Sequence, residues 1–219
     1  MTGLFETLRV REGTIPLLER HLARLAASCA ALGMTPPAPG LEGRVMRHAA
    51  AGDAVVRVTL SARGERIEAR PLPEPGPMRI VYSGTRYQPY PHKITDRAVF
   101  DLARSRVVPY RAEEAILMTA EGHIAEGCVT SIFYWLGPEL CTPSLDLGIL
   151  PSIGRARVIE VAQRLGIAVR EDRFTRAEME GLPLFLVNSV RGVVETAVHG
   201  RAGTSRDDRT TRIAAAFWG

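Results

Sequence analysis

The sequence predicts an α+β (α/β) protein of two small domains, and three features carry that prediction. Short segments alternate apolar and polar residues with a period of two. Other stretches repeat apolar residues at helical spacing, and a Gly/Pro/Tyr-rich stretch without periodicity interrupts the chain at residues 84–91. With 219 residues, 46% hydrophobic and 24% charged, the chain can bury a sizeable core and has the composition of an ordinary globular protein.

Residues 4–10 and 14–17 alternate around Glu12-Gly13 and read as a hairpin. A helix follows, with Leu18, Leu22, Leu25, Cys29 and Leu32 along one stripe and Gly33 as its stop. Residues 35–40 form a Pro/Gly loop and 44–51 a weaker helix; 54–61, 66–70 and 78–83 read as strands. These elements make a first domain over residues 1–83, joined by a linker at 84–91 to a larger domain over 92–219. In the second domain Asp96 is placed to cap a helix running to about Arg106. Strands follow at 115–119 and 130–136 around a turn at Glu121-Gly122, then a helix from about Ser152 to Leu165 stopped by Gly166. Strands at 168–170, 183–188 and 193–198 complete the sheet, and no internal repeat is present.

Composition narrows the function classes. No run of about 18 apolar residues exists, and the amino terminus lacks the charged, apolar and small-residue pattern of a signal peptide, so a soluble cytoplasmic protein without a membrane role is expected. The net charge is +4, but the arginines are scattered and not interleaved with aromatics, which argues against nucleic acid. Cys29, Cys128 and Cys141 are odd in number and lack CxxC spacing; neither disulfides nor a metal site is expected, and each cysteine reads as a small buried residue. Of the 28 Lys and Arg residues a single one, Lys93, is lysine. A guanidinium serves salt bridges and anion binding as well as an ammonium does, but it stays protonated and cannot form an imine. Taken alone, that count is equally consistent with compositional drift toward arginine.

Four segments decide between these. Gly3-Leu4-Phe5-Glu6-Thr7-Leu8-Arg9-Val10 with the helix Leu18-Glu19-Arg20-His21-Leu22-Ala23-Arg24-Leu25, then His92-Lys93-Ile94-Thr95-Asp96-Arg97, Ile124-Ala125-Glu126-Gly127, and Gly148-Ile149-Leu150-Pro151-Ser152-Ile153-Gly154-Arg155 resemble the fold-type IV pyridoxal phosphate (PLP) enzymes. That group, the class IV aminotransferases, includes branched-chain and D-amino acid aminotransferases and aminodeoxychorismate lyase. The resemblance implies the two-domain branched-chain aminotransferase-like fold, with the small amino-terminal domain truncated at its start because the family's first strand is missing. An edge of that domain is then open or covered by a partner, and a homodimer would cover it.

The resemblance also implies roles. Lys93 carries the cofactor as a Schiff base, which requires an amine able to lose its proton. Arg24 holds the cofactor phosphate, its planar fork suited to a dianion; the alternative for Arg24 is a solvated helix-face arginine. Glu126 pairs with the pyridine nitrogen and keeps it protonated, so the ring can accept electrons. The amides of Ile153 and Gly154, at a helix amino terminus, attract the phosphate, with Gly154 standing where the family usually has threonine. Ser189 falls where the family places another phosphate hydroxyl, and Arg57 and Arg191 are candidates for the substrate carboxylates. Tyr87 and Tyr90 flank the lysine and read as packing residues. The turn Asn188-Ser189-Val190-Arg191-Gly192 is more like the lyase branch, so the expected function is 4-amino-4-deoxychorismate lyase, releasing pyruvate and 4-aminobenzoate. The alternatives are a branched-chain or D-amino acid transaminase, and a noncatalytic PLP-binding protein.

Overall fold

The computed structural model describes residues 3–49, 52–200 and 207–219. They form two compact units: the first takes the chain up to Glu74 with residues 92–96 and 189–191, the second takes 75–91, 97–188 and 192 onward.

The first unit is a three-stranded antiparallel sheet in the order β1 (Leu4–Val10), β2 (Ala54–Ser61), β3 (Gly64–Arg70), with helices α1 (Leu18–Ala31) and α2 (Leu41–Met46). Leu8, Val10, Leu25, Cys29, Val45, Val56 and Val58 meet in its core, as the helical stripe and the strand alternation require. The expected hairpin is reduced to one bridge between Arg11 and Thr14, and residues 14–17 are not a strand. β1 instead pairs along its whole length with β2, from Leu4 opposite Leu60 to Val10 opposite Ala54. Leu17 turns the chain into α1 with a left-handed backbone, φ 63°. The weaker helix begins at Leu41, behind Gly40 at φ 78°, and residues 50–51 of the expected span lie outside the described residues. β3 is largely exposed and carries Glu65, Arg66, Glu68 and Arg70, charges that blunt a sheet edge.

β1 lies at the other edge of this sheet, yet it is covered. The Phe5 amide donates to the Lys93 carbonyl (2.9 Å), the Thr95 amide donates to the Gly3 carbonyl (2.7 Å), and Ser189 Oγ donates to the Thr7 carbonyl (3.2 Å). The open first edge from which a homodimer was expected is therefore occupied at Gly3, Phe5 and Thr7 by the chain's own segments.

The second unit is built on an eight-stranded sheet in the order β6-β5-β4-β11-β10-β7-β8-β9. Its strands are β4 (Met78–Arg86), β5 (Glu114–Met118), β6 (Ile124–Gly127), β7 (Ser131–Leu136), β8 (Glu139–Pro143), β9 (Val169–Asp172), β10 (Leu184–Asn188) and β11 (Gly192–Val198), and its helices are α3 (Ala98–Val107), α4 (Ile153–Arg164), α5 (Arg176–Met179) and α6 (Asp208–Ala216). β4 runs parallel to both β5 and β11. The division thus falls at Glu74/Pro75 and not after residue 83, because β4 has its ladder partners in the second unit, and residues 84–86 of the expected linker are strand. Asp96 does not cap α3; the residue before that helix is Arg97, and no side chain caps it. β6, β8, α5 and α6 were not expected from the sequence. α6 is fastened by Arg157 Nε, which donates to the Phe217 carbonyl (2.8 Å), and by Trp135 Nε1, which donates to Thr210 Oγ1 (2.9 Å).

One buried group shapes the turn between β6 and β7. Glu114, fully buried at the start of β5, accepts from the amides of Cys128 (2.9 Å) and Val129 (3.0 Å) and from Thr130 Oγ1 (2.8 Å). Gly127 has no room for a side chain, since a Cβ there would collide with Thr130 Oγ1 and come within 2.9 Å of the Glu114 carboxyl. Truncation to Glu114→Ala strands these donors in the interior. We expect it to lower stability by at least about 3 kcal/mol, since each unsatisfied buried group costs about 1–3 kcal/mol, as read from the denaturant midpoint.

Candidate active site

In the first unit the candidate residues gather on β1. Phe5 presents its ring to two cations: the Arg57 guanidinium carbon lies 3.8 Å, and Lys93 Nζ 4.6 Å, from the ring centroid. Arg57 reaches this ring from β2, where it stands opposite Thr7, and its Nε lies 3.4 Å from Thr59 Oγ1. Lys93 is fixed through its backbone by the bond to Phe5 described above. Glu6, on the opposite face of β1 from Phe5, is only 2% exposed and sits against α1. Arg24 grips its carboxylate with both prongs, Nε to Oε1 at 2.8 Å and NH2 to Oε2 at 2.6 Å, and His21 Nδ1 lies 2.7 Å from Oε2.

Charge within this cluster can be assigned. Burial acts to raise Glu6, but hydrogen bonds from His21 and Arg24 and the Arg24 charge outweigh it and bring the carboxyl to about 2. Burial is also the main influence on His21 and pushes it below its ordinary value, with the charges of Arg24 and Lys93 acting the same way. Glu6 is therefore ionised, while burial holds His21 below its ordinary value against the opposing pull of the Glu6 hydrogen bond and charge. Arg24 is not a solvated helix-face residue: its side chain is 14% exposed, held by a buried carboxylate. Of the other candidates, Ser189 gives its hydroxyl proton to the Thr7 carbonyl, and Arg191 NH2 donates to the Glu74 carbonyl (3.0 Å).

In the second unit Glu126 is the penultimate residue of β6, 5% exposed. Its Oε1 accepts from Tyr87 Oη (2.8 Å) and from the Leu150 amide (3.3 Å). Tyr87, expected to be a packing residue, is thus bonded to the candidate carboxylate; Tyr90 does pack, edge-on to Phe100 at 4.9 Å. The lone tyrosines of residues 84–91 gave no signal that would separate the two roles. Glu6 and His21 were also missed as members of the site, because a strand glutamate and a helix histidine read as outward-facing.

Ser152 caps α4 by accepting from the Arg155 amide (3.3 Å), which leaves the Ile153 and Gly154 amides at the end of the helix, before its first internal bond. Gly154 sits close to the strand: a Cβ there would lie 3.0 Å from both Cα and the carbonyl carbon of Asn188, so a side chain at this position requires its neighbours to give by a few tenths of an ångström. All three cysteines are buried. Among the described residues, no cluster of metal-ligating side chains occurs and no helix is long and apolar enough to cross a membrane.

Comparison with known proteins decides the family. The profile of amino-transferase class IV matches residues 3–197. The chain belongs to this family. A Thermotoga maritima protein named as a probable branched-chain-amino-acid aminotransferase is 38% identical over 103 residues, which cover 47% of this chain and 37% of that one. The aminodeoxychorismate lyase of Bacillus subtilis is 34% identical over 85 residues, 37% of this chain and 28% of that one. The matched stretches thus span well under two thirds of these relatives. Among solved structures, 4-amino-4-deoxychorismate lyase from Pseudomonas aeruginosa superposes with a TM-score of 0.84 at 25% identity, covering 98% of this chain and 89% of that one. The class IV match places the chain among PLP-dependent enzymes. Each unit offers groups that suit such a cofactor: the first a side-chain amine and a guanidinium held by a buried carboxylate, the second a buried carboxylate held by two donors and the amino-terminal amides of α4.

The Glu6 cluster yields a stability test. Arg24→Gln leaves a buried carboxylate short of its strongest partner, so the cofactor-free protein should lose about 3 kcal/mol, the usual scale for breaking one side of a buried pair. Arg20→Gln, one turn earlier, should cost less than about 1 kcal/mol. Because Glu6 is depressed, its contribution is fully present above the unfolded value of 4.5 and is lost as pH falls toward about 2. The Arg24→Gln penalty should shrink across that window in pH-dependent urea titrations.

Proposed function

We propose that this class IV protein is a PLP-dependent 4-amino-4-deoxychorismate lyase, releasing pyruvate and 4-aminobenzoate. Lys93 carries the reading. It is the chain's single lysine, it falls in the segment that resembles the family's attachment site, and its backbone is pinned to β1 beside a ring that also takes Arg57. The lyase rather than the transaminase is favoured by the turn at residues 188–192 and by the likeness to two lyases over part and nearly all of the chain.

When bound, the cofactor supplies an electron sink for charge released at the substrate's amine-bearing carbon. Lys93 would hold it through its side-chain amine and would take the proton from that carbon. Glu126 holds the proton on the pyridine nitrogen. Arg24 and the amides of Ile153 and Gly154 bind the phosphate, and Ser189 joins them when its hydroxyl turns from Thr7. Arg57 and Arg191 receive the substrate's carboxylates. Pyruvate leaves, and aromatisation of the ring gives 4-aminobenzoate. A transaminase of branched-chain or D-amino acids is the second reading, favoured by the 38% identity to the Thermotoga protein; it uses Lys93 to move the proton between two carbons and needs a keto-acid acceptor. We also propose a homodimer, whose contact lies elsewhere than the β1 edge that the chain's own segments occupy, and a monomer in light scattering of the purified protein overturns it.

Two measurements test the function. Borohydride reduction of the PLP-loaded protein should fix the cofactor to Lys93, and a peptide map with label only on the amino terminus removes the basis of the proposal. Aminodeoxychorismate should yield stoichiometric pyruvate and 4-aminobenzoate. Amino-group transfer from an amino acid panel without that release would assign the transaminase instead.

A further inference from the structure

We propose that Tyr87 is a positioning residue for the reaction: its hydroxyl, 2.8 Å from Glu126 Oε1, holds the Glu126 carboxylate in its charged form and thereby keeps the shared proton on the cofactor's pyridine nitrogen. The inference rests on the reading that Glu126 is the partner of that nitrogen.

Four observations lead to it. Tyr87 and Glu126 are both buried, 7% and 5% exposed, so water does not substitute for the hydroxyl. Tyr87 stands at a fixed place, its amide donating to the Met118 carbonyl (2.7 Å) and its ring edge-on to Phe100 with centroids 6.3 Å apart. A second acceptor near the hydroxyl, the Gly148 carbonyl at 3.1 Å, already receives the Tyr90 amide at 2.8 Å, which leaves the carboxylate the stronger claim on the tyrosine proton. Burial, then the charge of Glu126 and the hydrogen bond to it, push the Tyr87 hydroxyl far above the ordinary tyrosine value, so it donates at every pH at which the protein works.

The consequence has a sign. A donor to a carboxylate favours its charged form. With the hydroxyl in place, a proton shared between Glu126 and a pyridine nitrogen rests on nitrogen; without it the carboxylate becomes the better base and the proton moves toward oxygen. The Leu150 amide, at 3.3 Å, is a second but longer donor to the same oxygen. Gly148, with a backbone φ of 71° and no space for a Cβ beside Pro89, brings that stretch of chain against residues 87–89.

The test loads the purified protein with PLP labelled with 15N in the ring and reads the nitrogen resonance in the parent, Tyr87→Phe and Glu126→Gln. Tyr87→Phe keeps the ring against Phe100 and removes only the hydroxyl. We expect a pyridinium signal in the parent, a shift toward neutral pyridine in Tyr87→Phe, and about a 10- to 100-fold fall in kcat with KM changed less than about threefold, the scale of one hydrogen bond to a charged group. A parental resonance in Tyr87→Phe beside a shifted one in Glu126→Gln overturns the role of Tyr87 and leaves that of Glu126. A parental resonance in both variants overturns the reading of Glu126, and this inference with it. Loss of PLP from Tyr87→Phe would assign the hydroxyl to cofactor retention and likewise overturn it.

Discussion

A carboxylate taken out of water must be surrounded by donors, and Glu6 imposes that demand at the centre of the first unit. Its position in β1 leaves no solvent to turn to, so α1 supplies the partners: Arg24 with two prongs and His21 one turn earlier. That bond fixes the rotation of the helix about its axis relative to the sheet, which apolar packing alone leaves loosely defined. The arginine expected to serve a phosphate is thereby already oriented.

The same constraint recurs in the second unit. Glu114 gathers the amides of Cys128 and Val129 and the hydroxyl of Thr130, so the chain after β6 is folded back around a buried acid. Glu126 lies immediately before that turn, and its side chain is held from the other direction by Tyr87 and the Leu150 amide. One acid sets the path of the backbone, and the neighbouring acid presents itself from that backbone. A group meant to balance charge on a ligand gains from such fixing, because no reorganisation is needed when charge develops.

Much of this was legible in the sequence, and the failures have physical causes. The α1 stripe, the β2 span and the helix after Ser152 followed from periodicity and capping, since both are local. The hairpin at residues 14–17 failed because alternation says that a strand exists but not which strand it pairs with, and β2, more than forty residues on, offered β1 a longer ladder. The boundary at residue 83 failed for the same reason, β4 belonging with β5 and β11. Of the candidate site, Lys93, Arg24 and Glu126 were singled out by the motifs around them, the lysine count alone being equally consistent with drift toward arginine. Glu6, His21 and Tyr87 did not, because a buried polar residue and an exposed one alternate identically along a strand or helix; only the partners, distant in sequence, distinguish them.

Lys93, proposed to carry the cofactor, is fixed through its backbone. Its main chain is tied down on β1 by hydrogen bonds at residues 93 and 95, which fixes the Cα from which the side chain reaches. Nζ lies over the Phe5 ring, and a cation–π contact costs only about 0.5–2 kcal/mol to leave. The main chain at residues 93 and 95 is thus fixed, and Nζ rests against an aromatic ring. The Phe5 ring takes the ammonium of Lys93 and the guanidinium of Arg57 together, so two cations share one aromatic ring.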